Sequence, residues 1–153
     1  MNGPAPLAAA LRLLTVRDRS EAELTARLRR KGFDETQIAD VVERCRRYGY
    51  LDDARFARER ARSLLRRGRA VGPRLLADLR RHGVSETEAR AAAEDAKKDF
   101  DERELLVELL ERRFPGFVFS AAADRERRRV VNYFLRRGFS LPQVLSFFQA
   151  EER

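Results

Sequence analysis

The chain of 153 residues has one cysteine, one histidine, one methionine and no tryptophan. One cysteine excludes a disulfide framework. One Cys and one His cannot supply the ligand set of a zinc site, and His82 is the only imidazole that could activate a nucleophile. Gly-rich phosphate loops are missing. The carboxylate pairs Asp52-Asp53 and Asp101-Glu102 stand at predicted helix starts, where the helix dipole favours anions without any catalytic role. No enzymatic activity, metal or cofactor is expected. Apolar runs long enough to span a membrane are lacking. The segment from Met1 to Leu14 has no charged start, and Arg12 interrupts its apolar run, so it does not read as a signal peptide; a cytoplasmic protein is expected. Glycine and proline are few (8 and 5) and sit at element ends, which leaves no flexible linker. No period-two run is long enough for a sheet, Phe117-Val118-Phe119 being too short.

What the chain does have is a pattern that occurs three times. An apolar residue is followed four later by another, then four later by Gly, then by an apolar residue and a helix-capping residue. The copies are Leu24, Leu28, Gly32, Phe33, Asp34; Leu75, Leu79, Gly83, Val84, Ser85; and Val130, Phe134, Gly138, Phe139, Ser140. Each runs on into a helical stripe: Ile38, Val41, Val42, Cys45; Ala89, Ala92, Ala93, Ala96; Val144, Phe147, Phe148. Gly at this place can take the left-handed conformation that ends a helix, and the next residue then contacts the one five back: Phe33 with Leu28, Val84 with Leu79, Phe139 with Phe134. Asp34, Ser85 and Ser140 cap the following helix, and Gln37, Glu88 and Gln143 stand at capping-box spacing. A basic residue precedes each Gly (Lys31, His82, Arg137), which complements the helix dipole and gives His82 a capping role at the surface. Cys45 falls on an apolar stripe and reads as a small buried thiol.

Further caps divide the rest. Ser20 with Glu23 opens the helix of Leu24. Asp52 caps the next, with Leu51 placed to staple to Phe56 and Gly49 ending the helix before. Pro73 fits the first position of its helix. Asp101 with Glu104 opens another helix, and Asp124 is placed to cap the one after the long 115–123 connection. The expected fold is all-α: three tandem three-helix units, resembling helix-turn-helix repeats, in an elongated, curved array. Their bounds are 1–51, 52–98 and 99–153. Arrays of this kind present binding surfaces.

The net charge is +8. Residues 1–51 hold 10 basic and 7 acidic side chains, residues 52–98 hold 13 and 8, and residues 99–153 hold 10 of each. The excess lies in the first two units and suits a polyanion or an acidic partner. Sequence-specific DNA reading by the first two units is not expected, because the helix starts that would meet base edges carry Asp34, Glu35, Glu86 and Glu88. The cations cluster elsewhere, at Arg29 and Arg30, at Arg80 and Arg81, and along Arg55, Arg58, Arg62, Arg66 and Arg69, which share one helical face. That face suits a phosphate backbone or an acidic protein; it equally suits a solvated surface tempered by Glu59. Exposed aromatics for base stacking form no run.

Arg19-Ser20-Glu21-Ala22-Glu23-Leu24, Leu28-Arg29-Arg30-Lys31-Gly32-Phe33 and above all Gly49-Tyr50-Leu51-Asp52-Asp53-Ala54-Arg55-Phe56-Ala57 resemble the RecX family of bacterial recombination regulators. The resemblance spans nearly the whole chain and is looser at Arg136-Arg137-Gly138-Phe139. It implies a non-enzymatic modulator of RecA in recombination, DNA repair and the SOS response. Family members bind the RecA–DNA filament and usually inhibit its ATPase and strand exchange; some also bind DNA. The residues so implicated are Gly49, Leu51, Asp52, Asp53 and Phe56, all of which also have a structural reading as a junction, and Tyr50, whose ring is the first choice for a partner contact. The expectation is a monomer that engages RecA filaments mainly through units one and two, with weak, non-specific contact to single- or double-stranded DNA and none to membranes. The alternative is an autonomous DNA-binding protein.

Overall fold

The computed structural model describes residues 5–152; Met1–Pro4, part of the segment read above for a leader, and Arg153 lie outside it. Among the described residues there are nine α-helices, one 3₁₀ turn and no strand. Unit one holds α1 (Pro6–Val16), α2 (Glu21–Arg30) and α3 (Glu35–Arg47). Unit two holds α4 (Asp53–Arg66), α5 (Gly72–Arg81) and α6 (Glu86–Ala96). Unit three holds α7 (Glu102–Arg113), the 3₁₀ turn Phe119–Ala121, α8 (Asp124–Arg136) and α9 (Leu141–Glu151). The helix pairs in broadest contact all lie inside one unit: α1 with α2 and α3, α2 with α3, α4 with α5 and α6, α5 with α6, and α8 with α9.

The repeated turn forms alike in all three copies. Gly32, Gly83 and Gly138 have positive φ. The next residue's N–H reaches back five positions, from Phe33 to the Leu28 carbonyl at 3.3 Å, Val84 to Leu79 at 3.1 Å and Phe139 to Phe134 at 3.2 Å. The glycine N–H donates to Arg29, Arg80 and Leu135 in turn. This is the paired hydrogen bonding of a Schellman motif. Phe139 and Phe134 also meet edge to face at 5.6 Å.

The capping differs in detail from the sequence expectation. Ser20 with Glu23, Asp34 with Gln37 and Ser140 with Gln143 form reciprocal boxes. Ser85 accepts from the Glu88 N–H at 3.2 Å, but the Glu88 carboxylate does not reach back; it faces the junction with unit one instead. Asp101 accepts from Arg103 and Glu104 without a return bond. Ala123, not Asp124, is the N-cap of α8, and Asp124 contributes as an acid in the first turn. Gly72 takes the first position of α5, one residue before Pro73.

The buried residues fall into two cores rather than three. Ala9, Ala10 and Leu13 join the α2 and α3 stripes, Cys45 and Leu51 in one. Units two and three share the other, from Phe56 to Phe148, with Leu105, Leu106 and Leu109 of α7 built into it. Leu51 and Phe56 therefore anchor different cores, and the expected staple between them gives way to a strut that joins the two. Cys45 is fully buried, as expected, and desolvation pushes its thiol above the ordinary value.

Successive units dock by one repeated contact. The turn of unit two presses on the start of α2: Ser20 Oγ donates to the His82 carbonyl at 2.5 Å, and a Cβ at Gly83 would overlap Ala22. The turn of unit three presses on the start of α5: Val71 N–H donates to the Arg137 carbonyl at 2.8 Å, and a Cβ at Gly138 would overlap the Val71 carbonyl. Gly32, in the first unit, has nothing within 4 Å of that position. In the second and third copies, then, the glycine both ends a helix and admits the preceding unit.

Candidate partner-binding surfaces

Gly49 to Phe56 forms the junction between the first two units. Gly49 has a positive φ, and Tyr50 N–H donates to the Cys45 carbonyl at 2.8 Å, closing α3. Leu51 is buried in the first core and Phe56 in the second. Asp52 caps α4 by accepting from Arg55 N–H at 3.0 Å. Asp53 reaches across to unit one and accepts from the Glu21 N–H at 2.8 Å. Arg55 donates to the Gly49 carbonyl at 3.2 Å and pairs with Asp18 at 3.5 Å. Every one of these side chains is occupied inside the molecule. Tyr50 is the exception: its side chain is half exposed, 6.1 Å from the ring of Tyr48, which is more exposed still. Tyr48 is a neighbour that the sequence reading passed over. Both rings stand on a backbone fixed by the α3 turn and by Arg55.

Beside this junction lies a small acidic pocket formed by Glu21, Asp52, Asp53 and Glu88, with Arg46 on its edge. Burial raises the Asp53 carboxyl above its ordinary value, with the Glu21 charge adding to it. Burial likewise raises Glu88, helped by Asp53 and Glu21, and Glu88 Oε2 is buried with no hydrogen-bond partner. Arg46 holds Glu21 at 2.6 Å.

The cationic stripe of α4 divides into parts with different surroundings. Arg55 belongs to the junction. Arg62 is pinned to α6 and beyond, at 3.1 Å from both Asp95 and Asp99. Arg58 is exposed, and among the described residues it makes no ion pair, Glu59 included. Arg66 and Arg69, also unpaired, lead into a cleft. Of the other sequence-predicted cations, Arg29 is paired with Glu35 at 2.7 Å and Arg81 with Asp78 at 3.4 Å, while Arg30 and Arg80 are exposed. Asp78 also receives a two-pronged bond from Arg60, at 2.6 and 3.1 Å. His82 closes α5 as expected, but it is half-buried: Nδ1 lies 2.8 Å from the Asp78 carbonyl, and the ring lies 6.2 Å from Phe56.

The cleft lies between units two and three and has a volume of about 740 Å³. Its walls are Arg66, Arg67 and Arg69 at and just after the end of α4, Arg74 on α5, Arg112 and Arg113 ending α7, and Arg136 and Arg137 ending α8, with Leu109 and Tyr133 completing the lining. Among the described residues, no carboxylate lines it. Of this set, the sequence marks only Arg66 and Arg69 as candidate contacts, and Arg137 only as a helix-end cation. Cations favour the last turn of a helix, and here three helices end side by side. Arg137 is held over the Tyr133 ring at 3.6 Å, and its Nε is buried without a partner. Burial, together with the charges of Arg113 and Arg136, holds the Arg137 guanidinium below its ordinary value.

No helix among the described residues is long and apolar enough to cross a membrane. The RecX first three-helix domain matches residues 7–45, which spans α1 to α3. The regulatory protein RecX of Syntrophotalea carbinolica is 53% identical over 142 residues, covering 93% of both chains. That of Trichlorobacter lovleyi is 38% identical and covers 92% of both. The fold is shared with the crystal structure of RecX from Lactobacillus salivarius, at a TM-score of 0.70 and 19% identity over 95% of this chain and 93% of that one. A chain with nine helices among its described residues, built on the RecX three-helix domain and matched nearly end to end by relatives named as regulatory proteins, belongs to the RecX family.

Proposed function

We propose that this protein binds the RecA–DNA filament as a monomer in the cytoplasm and inhibits RecA ATP hydrolysis and strand exchange, so tempering recombination and the SOS response. Family membership supports the recombinase as partner. The observation that carries the site is the pair of exposed tyrosines, Tyr48 and Tyr50, beside a motif whose other side chains are all engaged internally. Aromatic residues with rigid backbones make effective anchors at protein interfaces. The exposed cations Arg30, Arg58 and Arg80 add charge that suits an acidic partner. No catalytic step is assigned, in keeping with relatives named as regulatory proteins. The test is ATP hydrolysis by RecA on single-stranded DNA with increasing amounts of this protein. A rate that falls to a plateau supports the reading, and an unchanged rate at saturating protein overturns it.

A further inference from the structure

We propose that the groove between α5 and α6 of unit two is a docking site for a short, uncharged, phenylalanine-bearing segment of a partner protein. The proposal stands apart from the recombinase reading, and its test contains no RecA. It rests on what fills the same groove in unit three. The register that carries Gly83 onto Gly138 carries Gly72 onto Arg127, Leu76 onto Val131, Ala93 onto Phe148 and Lys97 onto Glu152. In unit three these positions hold the chain's own 115–123 connection. Phe119 stacks on Phe148 with ring centroids 4.9 Å apart, and Phe117 meets the same ring at 5.6 Å. Arg127 donates to the Phe119 carbonyl at 2.7 Å and to the Ser120 carbonyl at 2.8 Å, and Glu152 accepts from the Ser120 N–H at 3.0 Å. The groove between α8 and α9 is thus a seat for a Phe-Val-Phe segment, held by its rings and by its backbone.

Unit two has no such connection to fill its groove. Residues 67–71 join α4 to α5, half the length of 114–123, and Ala70 and Val71 are buried in the core. The groove left between α5 and α6 has a volume of about 260 Å³. Ala93 and Gly72 make room where Phe148 and Arg127 stand in unit three. Leu65, Leu75 and Leu76 supply an apolar lining, and Phe100 offers a ring at one end. Leu76 and Phe100 are only partly buried, so a guest would cover them. Sites for small organic ligands span about 300–1,000 Å³; this smaller groove suits one or two side chains. An aromatic anchor in an apolar pocket is the usual centre of a protein contact. The rim is balanced in charge: Arg90 is paired with Glu86 and Lys97 with Glu94, and Glu102 stands beside them. A polyanion finds no excess charge there, so the guest is uncharged. Lys97 sets a donor where Glu152 sets an acceptor, so at that point the guest presents a carbonyl oxygen. In unit one the corresponding groove has Thr25 for Leu76 and Val42 for Ala93, and among the described residues no ring lines it.

The test is a nuclear magnetic resonance titration of the isotope-labelled full chain with the capped peptide Gly-Phe-Val-Phe-Ser-Ala, the sequence of residues 116–121. Amide signals of α5 and α6 around Leu76 and Ala93 are expected to shift saturably. The same peptide with both phenylalanines replaced by alanine should leave them unmoved. Leu76→Gln should weaken binding by about tenfold or more, as when an interface anchor loses its pocket. Ala93→Phe, which refills the groove as Phe148 does in unit three, should abolish binding. Thermal melting shows whether each variant is folded, and the alanine peptide decides the matter if neither is. The proposal is overturned if the parent shows no saturable shift, if signals of α2 and α3 or of α8 and α9 move while those of α5 and α6 do not, if the alanine peptide binds equally, or if folded variants bind as the parent does. It is also overturned if the same amides shift with protein concentration alone, because the occupant is then a second copy of this chain.

Discussion

Gly138 lies so close to the carbonyl of Val71 that a β-carbon at position 138 would overlap that oxygen, and the Val71 N–H bonds the Arg137 carbonyl beside it. The same relation ties Gly83 to Ala22. At Gly32 the space is open. The three glycines share one conformation, so replacing them with alanine separates the cost of backbone strain from the cost of docking. Gly32→Ala is expected to lose about 1–2 kcal/mol, the strain of a β-carbon in left-handed backbone. Gly138→Ala adds a collision with backbone that cannot move alone and should lose at least about 3 kcal/mol, strain and overpacking together. Gly83→Ala falls between, because a methyl group is what it meets. Adding Ala22→Gly to Gly83→Ala should recover part of the loss, a non-additivity that urea unfolding of the four proteins would measure. Equal losses at all three glycines would show that the units do not dock through these turns.

A second prediction concerns Asp78, 8% exposed and gripped by Arg60. Burial alone would raise its carboxyl, but the Arg60 hydrogen bonds and charge, with His82 and Arg81, outweigh burial and hold it below the ordinary value. A folded value below the unfolded one means the group stabilises the fold above the unfolded carboxyl range, near pH ~4, and that this is lost as pH falls through the lower folded value. Asp78→Asn should therefore lower the melting temperature at pH 7, by a few degrees for about 1–2 kcal/mol. The gap between variant and parent should narrow below pH ~4. A gap that is independent of pH would place the loss in shape rather than in charge.

Glu88 carries the opposite sign. Its carboxyl and that of Asp53 are raised, first by burial and then by mutual repulsion with Glu21. A folded value above the unfolded one means the folded protein holds the proton more tightly. Stability then declines as pH rises through that window, and a penalty persists above it. Glu88→Gln removes the charge and keeps the shape. It should raise the melting temperature at neutral pH, and the gain should vanish once the medium is acid enough to protonate the carboxyl in both states. Parallel melts of parent and variant across this range would test it; a variant less stable at neutral pH would refute the repulsion.

Much of this fold is legible in the sequence because its determinants are local. Gly at the helix end, the apolar residue after it and the cap after that act within a few residues, and all three turns form as spelled. At two places where the sequence misleads, a contact from another unit has intervened. Glu88 stands at capping-box distance from Ser85, yet its carboxylate lies among acids from α2 and α4. Leu51 and Phe56 have staple spacing, yet each is claimed by a different core. The arginine cleft is the largest omission. Residues 99–153 sum to no net charge, which conceals that α7 carries Glu102 and Glu104 at its start and Arg112 and Arg113 at its end. A sum over a segment discards that polarity, and only the packing reveals that α4, α7 and α8 end together.

Tyr50 and its neighbour Leu51 provide the sharpest test of the partner surface, because adjacent positions in one motif are assigned opposite roles. Leu51 is 2% exposed and packs in the core of unit one. Leu51→Ala should cost about 2–5 kcal/mol by leaving a cavity, and any loss of the proposed RecA inhibition would follow from unfolding. Tyr50 is 50% exposed, touches Tyr48 and makes no side-chain hydrogen bond among the described residues. Its backbone is held by the Cys45 carbonyl whatever side chain it bears. Tyr50→Ala should therefore shift stability by no more than about 0.5 kcal/mol, as for exposed sites generally. If the ring is an interface anchor, its loss costs about 2 kcal/mol of binding, so the concentration giving half-maximal inhibition of RecA ATP hydrolysis should rise more than tenfold. Tyr48→Ala should have the same sign with a smaller effect, and the two should be non-additive because the rings are neighbours. Unchanged inhibition by Tyr50→Ala, with unchanged melting, would remove the tyrosine pair from the interface and leave the motif as a structural junction alone.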